Sequence, residues 1–258
     1  MKRNLVLVVL SLAAVLGNLA TASTRKDATE RLQNSAAVLK EIAAAPDKGI
    51  PEEVLKSSKC IVVIPHLVKA GFVVGAKHGR GVAVCRTSGE GTSGEGWSAP
   101  AFINVSGGSW GLQIGAEGVD LVMLVMNDNG LRHLLSSKFE ITGEGSAAAG
   151  PVGRHASAGT DWKLNTELLT YSRSRGVFAG LTLEGAVVEQ DADATVAIYG
   201  SDVSFRKTLL GEVATPGAAE PFLRAVAEIA HRAAAQEARE QAPEDRQQPE
   251  DRKQEDQQ

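Results

Sequence analysis

The feature that most limits the fold is a series of short apolar runs, broken by glycine, between Lys59 and Met126. Cys60–Ile64, Gly71–Ala76 and Gly81–Arg86 are separated by Pro65-His66 and by His78-Gly79-Arg80, and read as a β-meander. Trp97–Val105 and Trp110–Glu117 continue the series, the latter alternating Trp110, Leu112, Ile114 and Ala116 against Gly111, Gln113, Gly115 and Glu117. Alternation with period two argues strand. Val119–Met126 is almost continuously apolar, which suits a central strand covered on both faces. Glycine recurring inside the runs predicts bends, bulges or close strand approach, as a barrel-like sheet needs.

The second half repeats the pattern. Thr166–Val187 holds two strand-like runs joined by Tyr171-Ser172-Arg173-Ser174-Arg175-Gly176. In the second run Val177, Ala179, Leu181, Leu183 and Val187 fall on one face. An apolar run Thr195–Tyr199 and a short helix from Ser204 to Leu210, stopped by Gly211, follow.

Helical periodicity sits at the ends. Ala28, Leu32, Ala36, Leu39 and Ala43 form one apolar stripe, flanked by Arg25, Lys26, Arg31 and Lys40. The stripe either packs on the domain or lies on a membrane surface; each alanine methyl contributes only about 0.8 kcal/mol, which favours packing. Pro51-Glu52-Glu53 opens a second short helix, and Leu131–Ser137 resembles a third after the turn Asn127–Gly130. Phe222, Val226, Ile229 and Ala233 give a C-terminal helix. The fold class is α+β: a glycine-rich, mostly antiparallel, barrel-like sheet with an N-terminal amphipathic helix and a C-terminal helix.

Lys2 and Arg3, the apolar run Leu5–Leu16 and Ala20-Thr21-Ala22 have the layout of a secretory signal over residues 1–22. The run falls short of the roughly 20 residues a bilayer span requires. A domain over residues 24–240 and a disordered polar tail over 241–258 complete the plan. The tail repeats PEDRQQ as PEDRKQ and has one apolar residue, Ala242. Of 27 basic and 31 acidic residues the leader removes Lys2 and Arg3, leaving 25 against 31. That balance argues against nucleic acid, and any affinity for anionic lipid must come from a local patch.

Candidate chemistry is sparse. Gly107-Gly108-Ser109-Trp110-Gly111 has G-x-S-x-G spacing, but no helix opens behind Ser109, as a nucleophile elbow demands. Gly89-x-Gly91-x-x-Gly94 has dinucleotide spacing, but Glu90 and Glu95 would repel a pyrophosphate. The five histidines, 66, 78, 133, 155 and 231, have no metal-ligand spacing, and neither a metal nor a cofactor is expected. Asp191 and Asp193 read as a polar surface turn. Cys60 and Cys85, the only cysteines, either form a disulfide or are two buried thiols; an oxidising compartment favours the bond. Lys69, Lys77, Arg80 and Arg86 lie in or beside the meander. Arg173 and Arg175 either hold a phosphate, for which arginine beside serine and glycine is suited, or pair with Glu167 or Glu184.

Five segments in order resemble the SYLF-domain family, the Las17-binding or actin-regulator-like lipid-binding proteins: Lys59–Arg86, Gly96–Gly118, Asp120–Asn127, Ala149–Gly153 and Tyr171–Gly185. Where the family pattern commonly reads GLFAGVSLEG, this chain reads GVFAGLTLEG from Gly176. The resemblance implies non-enzymatic binding of phospholipid headgroups, phosphoinositides in eukaryotic members, with membrane contact from the helix at the domain start. The expectation is a periplasmic or secreted, peripherally membrane-associated protein. Arg25, Lys26, Arg31, Lys40, Arg173 and Arg175 are its candidate lipid-phosphate contacts, and an anionic membrane surface is its partner. The alternative is a structural or protein-interaction module, the tail recruiting a protein. Actin is not expected as a partner, since an exported chain would not meet the cytoskeleton.

Overall fold

The computed structural model describes residues 24–41, 44, 50–71, 74–87, 96–110, 115–142, 147–150, 166–174, 177–180, 183 and 185–240. The leader, the tail, Ala43, Arg175 and Glu184 lie outside them. Nine strands form one curled, half-barrel sheet: β1 (Cys60–Gly71), β2 (Val74–Cys85), β3 (Ala101–Trp110), β4 (Gly115–Val125), β5 (Lys138–Glu140), β6 (Ala147–Ala149), β7 (Leu168–Ser174), β8 (Val177–Gly180) and β9 (Ala186–Gln190). The order is β5-β9-β3-β2-β1-β4-β7-β6, with β8 paired to β7. Among the described residues, only the β6–β7 pair is parallel. The helices are α1 (residues 24–41), α2 (Glu52–Ser57), α3 (Asp128–Leu135), α4 (Ala192–Tyr199), α5 (Phe205–Leu209) and α6 (Glu220–Glu240).

Strand alternation sends side chains into two cores. Ile61, Val63, Val82, Val84, Val122 and Leu124 meet α1, α2, α4 and α6 on one face. Cys60, Val62, Ala83, Cys85, Leu121 and Met123 meet α3 and α5 on the other. The apolar run read as a central strand is therefore covered on both sides, as β4 between β1 and β7. The stripe of α1 is spent in the first core: Ala28, Leu32, Ala36 and Leu39 are at most 4% exposed. Packing wins over surface display. Phe222, Val226 and Ile229 of α6 are buried beside it.

Several sequence boundaries move. Pro65-His66 is not a turn between strands but a bulge inside β1. The β1–β4 register passes from Ile64↔Leu121 to Leu67↔Val119, so Pro65 and His66 together face Asp120. His66 takes a left-handed φ of 57°, and its N–H donates to Asp120 Oδ1 at 3.1 Å. His78-Gly79-Arg80 is likewise internal to β2. A Cβ on Gly79 would come within 2.7 Å of Ile64 Cγ2, so glycine leaves room for the bulging strand. The run beginning at Val177 is not one strand: β8 stops at Gly180, and β9 joins β3 and β5 instead. Thr195–Tyr199 belongs to α4, whose N-cap Asp191 accepts from the Ala194 N–H.

Tyr171 of β7 is fully buried, and its hydroxyl has no hydrogen-bond partner among the described residues. Gly150 lies against the ring, where a Cβ would overlap it. Tyr171→Phe should therefore change stability by less than about 1 kcal/mol, because no bond is lost. Gly150→Ala should cost about 1–3 kcal/mol through overpacking. Urea denaturation of the two variants tests the assignment; a larger loss for Tyr171→Phe would reveal a hydroxyl partner.

Candidate functional site

Among the described residues, a polar cleft of about 320 Å³ lies between α1 and the β1–β2 hairpin. Its sheet wall carries His66, Val68, His78 and Arg80; its helix wall carries Asp27, Glu30 and Asn34. His78 and Arg80 share a face of β2 because they are two residues apart, and Val68 pairs with His78 across the ladder. The bulge supplies His66. All of these side chains except the cleft's rear member, Arg31, are solvent-exposed.

Arg31 is 6% exposed and is spoken for. Its Nη1 donates to Asp191 Oδ2 at 2.9 Å, and its guanidinium lies 5.5 Å from the Phe102 ring centroid. Burial lowers its pKa from the ordinary arginine value, while Asp191 opposes the shift. This corrects two expectations. Arg31 faces the core rather than a headgroup, because an i+3 offset from Ala28 puts it on the buried side of α1. Asp191 is not a surface turn residue but a buried ion-pair partner and helix cap. The cleft is thus dipolar, with a cationic sheet wall and a carboxylate helix wall, its buried arginine already neutralised.

The remaining expected contacts scatter. Arg25 Nη1 donates to the Ala197 carbonyl at 2.7 Å, tying α1 to the last turn of α4. Lys26 is exposed and 3.7 Å from Glu30, one turn on. Lys40 is exposed at the far end of α1. Arg173 pairs with Glu41 and lies 3.7 Å from Asp120, which also receives the His66 N–H. Its salt-bridge reading holds with different partners: Glu167 instead contacts His133 at 2.9 Å. That network clamps the end of α1 to β4 and β7. The six basic residues do not converge on one site.

Arg80, one of the basic residues of the meander, thus falls beside His66 and His78, a grouping that the sequence expectations do not include. The spacing His78-x-Arg80 within one strand was the available signal. Cys60 and Cys85 are directly opposed in the β1–β2 register and form a disulfide. Ser109 lies inside β3, opposite Gly75, with the ladder running through it. A nucleophile elbow needs a sharp turn there, so the hydrolase geometry is absent.

Comparison with known proteins follows the same outline. Residues 106–229 match the family described as Ysc84, Las17-binding protein actin regulator. The SH3 domain-containing protein PJ696.02 of Schizosaccharomyces pombe is 36% identical over 179 residues, 68% of this chain and 40% of that protein. Protein YSC84 of Saccharomyces cerevisiae is 34% identical over 181 residues, 69% of this chain and 37% of its own length. The human SH3 domain-containing YSC84-like protein 1 is 32% identical over 176 residues, 68% and 50% respectively. The chain therefore spans half or less of these relatives, and none of the three is named as an enzyme.

Proposed function

Because the chain carries a domain of the Ysc84 family, we propose that it is a non-enzymatic module that holds a phospholipid headgroup at an anionic membrane surface. The dipolar cleft is the observation that carries this reading. Arg80, with His66 and His78 beside it, suits a phosphate; Asp27 and Glu30 across the gap suit the hydroxyls or ammonium of the same headgroup. A volume of about 320 Å³ lies within the range of small-ligand sites.

Attachment in this reading is electrostatic. The apolar stripe of α1 is buried, so the helix contributes no insertion while it stays docked. The Cys60–Cys85 bond and the leader-like N-terminus support an exported, peripherally bound protein, periplasmic or secreted. Vesicle flotation tests the proposal. Binding to phosphatidylglycerol-containing vesicles should exceed binding to neutral ones at 0.1 M salt and fall sharply towards 1 M, as the Debye length shrinks from about 10 to about 3 Å. Arg80→Glu should weaken it roughly tenfold. Equal recovery with neutral vesicles at both salt concentrations would sink the idea.

The family description favours a second reading, a protein-interaction module, since it names a protein partner for the family. Removal of residues 241–258 would then abolish capture of that partner and leave vesicle behaviour unchanged.

A further inference from the structure

We infer that the headgroup held in the cleft is a phosphate ester of a primary amino alcohol. This phosphoethanolamine-type group lies across the gap with its phosphate on the sheet wall and its ammonium on the helix wall. The inference deepens the headgroup reading and rests on it. Three observations choose this class over a phosphoglycerol and over a phosphocholine.

The first is geometric. Asp27, Glu30 and Asn34 follow one another at spacings of three and four residues, so one stripe of α1 turns them together into the cleft. Opposite them, His78 and Arg80 stand two residues apart on β2, and His66 stands on the bulge of β1. Arg31, at the rear, feels both walls. Burial has the largest effect on it, lowering its pKa, and Asp191 opposes that; beyond these, Arg80 lowers it and Asp27 raises it. A cation and a carboxylate thus stand close to one point. Yet among the described residues neither Asp27 nor Arg80 belongs to an ion pair. Opposite charges that face across a gap without closing it leave room for a ligand carrying the complementary pair.

The second is the charge balance. Asp191 neutralises Arg31, which leaves Arg80 alone against Asp27 and Glu30 when histidine is counted as neutral. Lys26 reaches Glu30 at 3.7 Å, but from a side chain 77% exposed, where an ion pair contributes little. A phosphoglycerol would add a negative charge to that excess of carboxylate. A phosphoethanolamine adds no net charge. Its phosphate meets the Arg80 guanidinium, and its ammonium has three N–H donors for Asp27 and Glu30.

The third is the make-up of the walls. A quaternary ammonium is recognised on aromatic faces. Among the described residues, no Phe, Tyr or Trp lines the cleft. A primary ammonium instead needs oxygen acceptors, which Asp27, Glu30 and the Asn34 amide supply. Val68, 47% exposed, offers an apolar side to the short carbon spacer between phosphate and nitrogen.

The test titrates glycerophosphoethanolamine, glycerophosphocholine and glycerophosphoglycerol separately into the full chain, followed by chemical-shift changes. The ethanolamine ester should bind about three- to fivefold more tightly than the other two, the size of one exposed ion pair. Asp27→Asn combined with Glu30→Gln should erase that preference and leave affinity for glycerophosphoglycerol no weaker than in wild type. Arg80→Gln should weaken all three. All three positions are exposed, and the amide spectrum of each variant reports whether it is folded. Vesicles with a fixed share of phosphatidylglycerol, completed by phosphatidylethanolamine or by phosphatidylcholine, then identify the source. Stronger flotation with phosphatidylethanolamine supports the lipid. A preference among soluble esters with no gain on vesicles keeps the phosphoamine assignment and overturns its membrane source. If the esters bind alike or not at all while phosphatidylglycerol vesicles still bind, or the double variant keeps the preference, the ammonium assignment is overturned and the headgroup reading survives. If neither esters nor vesicles bind, the headgroup reading itself fails.

Discussion

Arg31→Ala should cost about 3–5 kcal/mol of folding stability, a fall of roughly 10 °C in melting temperature for a domain of this size. The residues Arg31 and Asp191 are 6% and 8% exposed, and their ion pair joins α1 to the cap of α4 across 160 residues of sequence. Removing the arginine strands a carboxylate in the first core. It also takes away the cation over Phe102. The cost arises from the abandoned charge more than from the lost attraction, so Arg31→Met combined with Asp191→Asn should recover most of it. Asparagine keeps a side-chain oxygen for the Ala194 N–H, and methionine refills the arginine stem's volume. Chemical denaturation of the three proteins decides it. A single variant within 1 kcal/mol of wild type would show that the pair is solvated and that α1 is held by apolar contacts alone.

Opening the Cys60–Cys85 bond should remove about 3.5 kcal/mol, from the loop entropy of a crosslink spanning 25 residues. Both cysteines are buried, at 0% and 2% exposure, and sit opposite each other where β1 and β2 pair with β4 and the Arg86–Trp97 bridge. Native protein should therefore resist reductant until it opens, and the reduced chain should unfold at lower urea. Cys60→Ala combined with Cys85→Ala should behave like the reduced chain, with a further loss from the missing sulfur volume. Identical midpoints for oxidised and reduced protein would mean that the ladder alone fixes this end of the hairpin.

Local patterns were legible in the chain; long-range pairings were not. The nearly unbroken apolar run along 119–126 revealed a doubly covered strand, and helical spacing along 28–39 revealed a helix stripe, because each pattern is complete within one element. The Arg31–Asp191 pair was invisible for the opposite reason. Asp191 read as surface because nothing in its neighbourhood announces a cation from the other end of the domain. Its cap role was readable, since an aspartate three residues before Ala194 and ahead of an apolar run is a helix start. The bulge was partly legible: Gly79 and Gly81 mark a close approach, but Pro65-His66 looked more like a turn than an interruption within a continuous strand. The basic residues read as one set do not converge, since Arg25, Arg31 and Arg173 are each engaged by a group on another element, a pairing that no local pattern announces.

The left-handed residue at His66 has a consequence for how the chain can change in length. Before it, even-numbered residues of β1 face the second core; after it, odd-numbered Leu67 does, while β2 and β4 keep one phase throughout. The strand is therefore two segments in antiphase, joined at a single frame-shifting residue. Losing His66 would leave Pro65 alone opposite Asp120 and every distal side chain facing as it does now, with Leu67 inward and Val68 outward. An insertion or deletion elsewhere in β1 would scramble the core, yet a paired change on either side of the bulge would cancel. The cleft-lining half of this strand can thus be remodelled independently of the half that carries the disulfide.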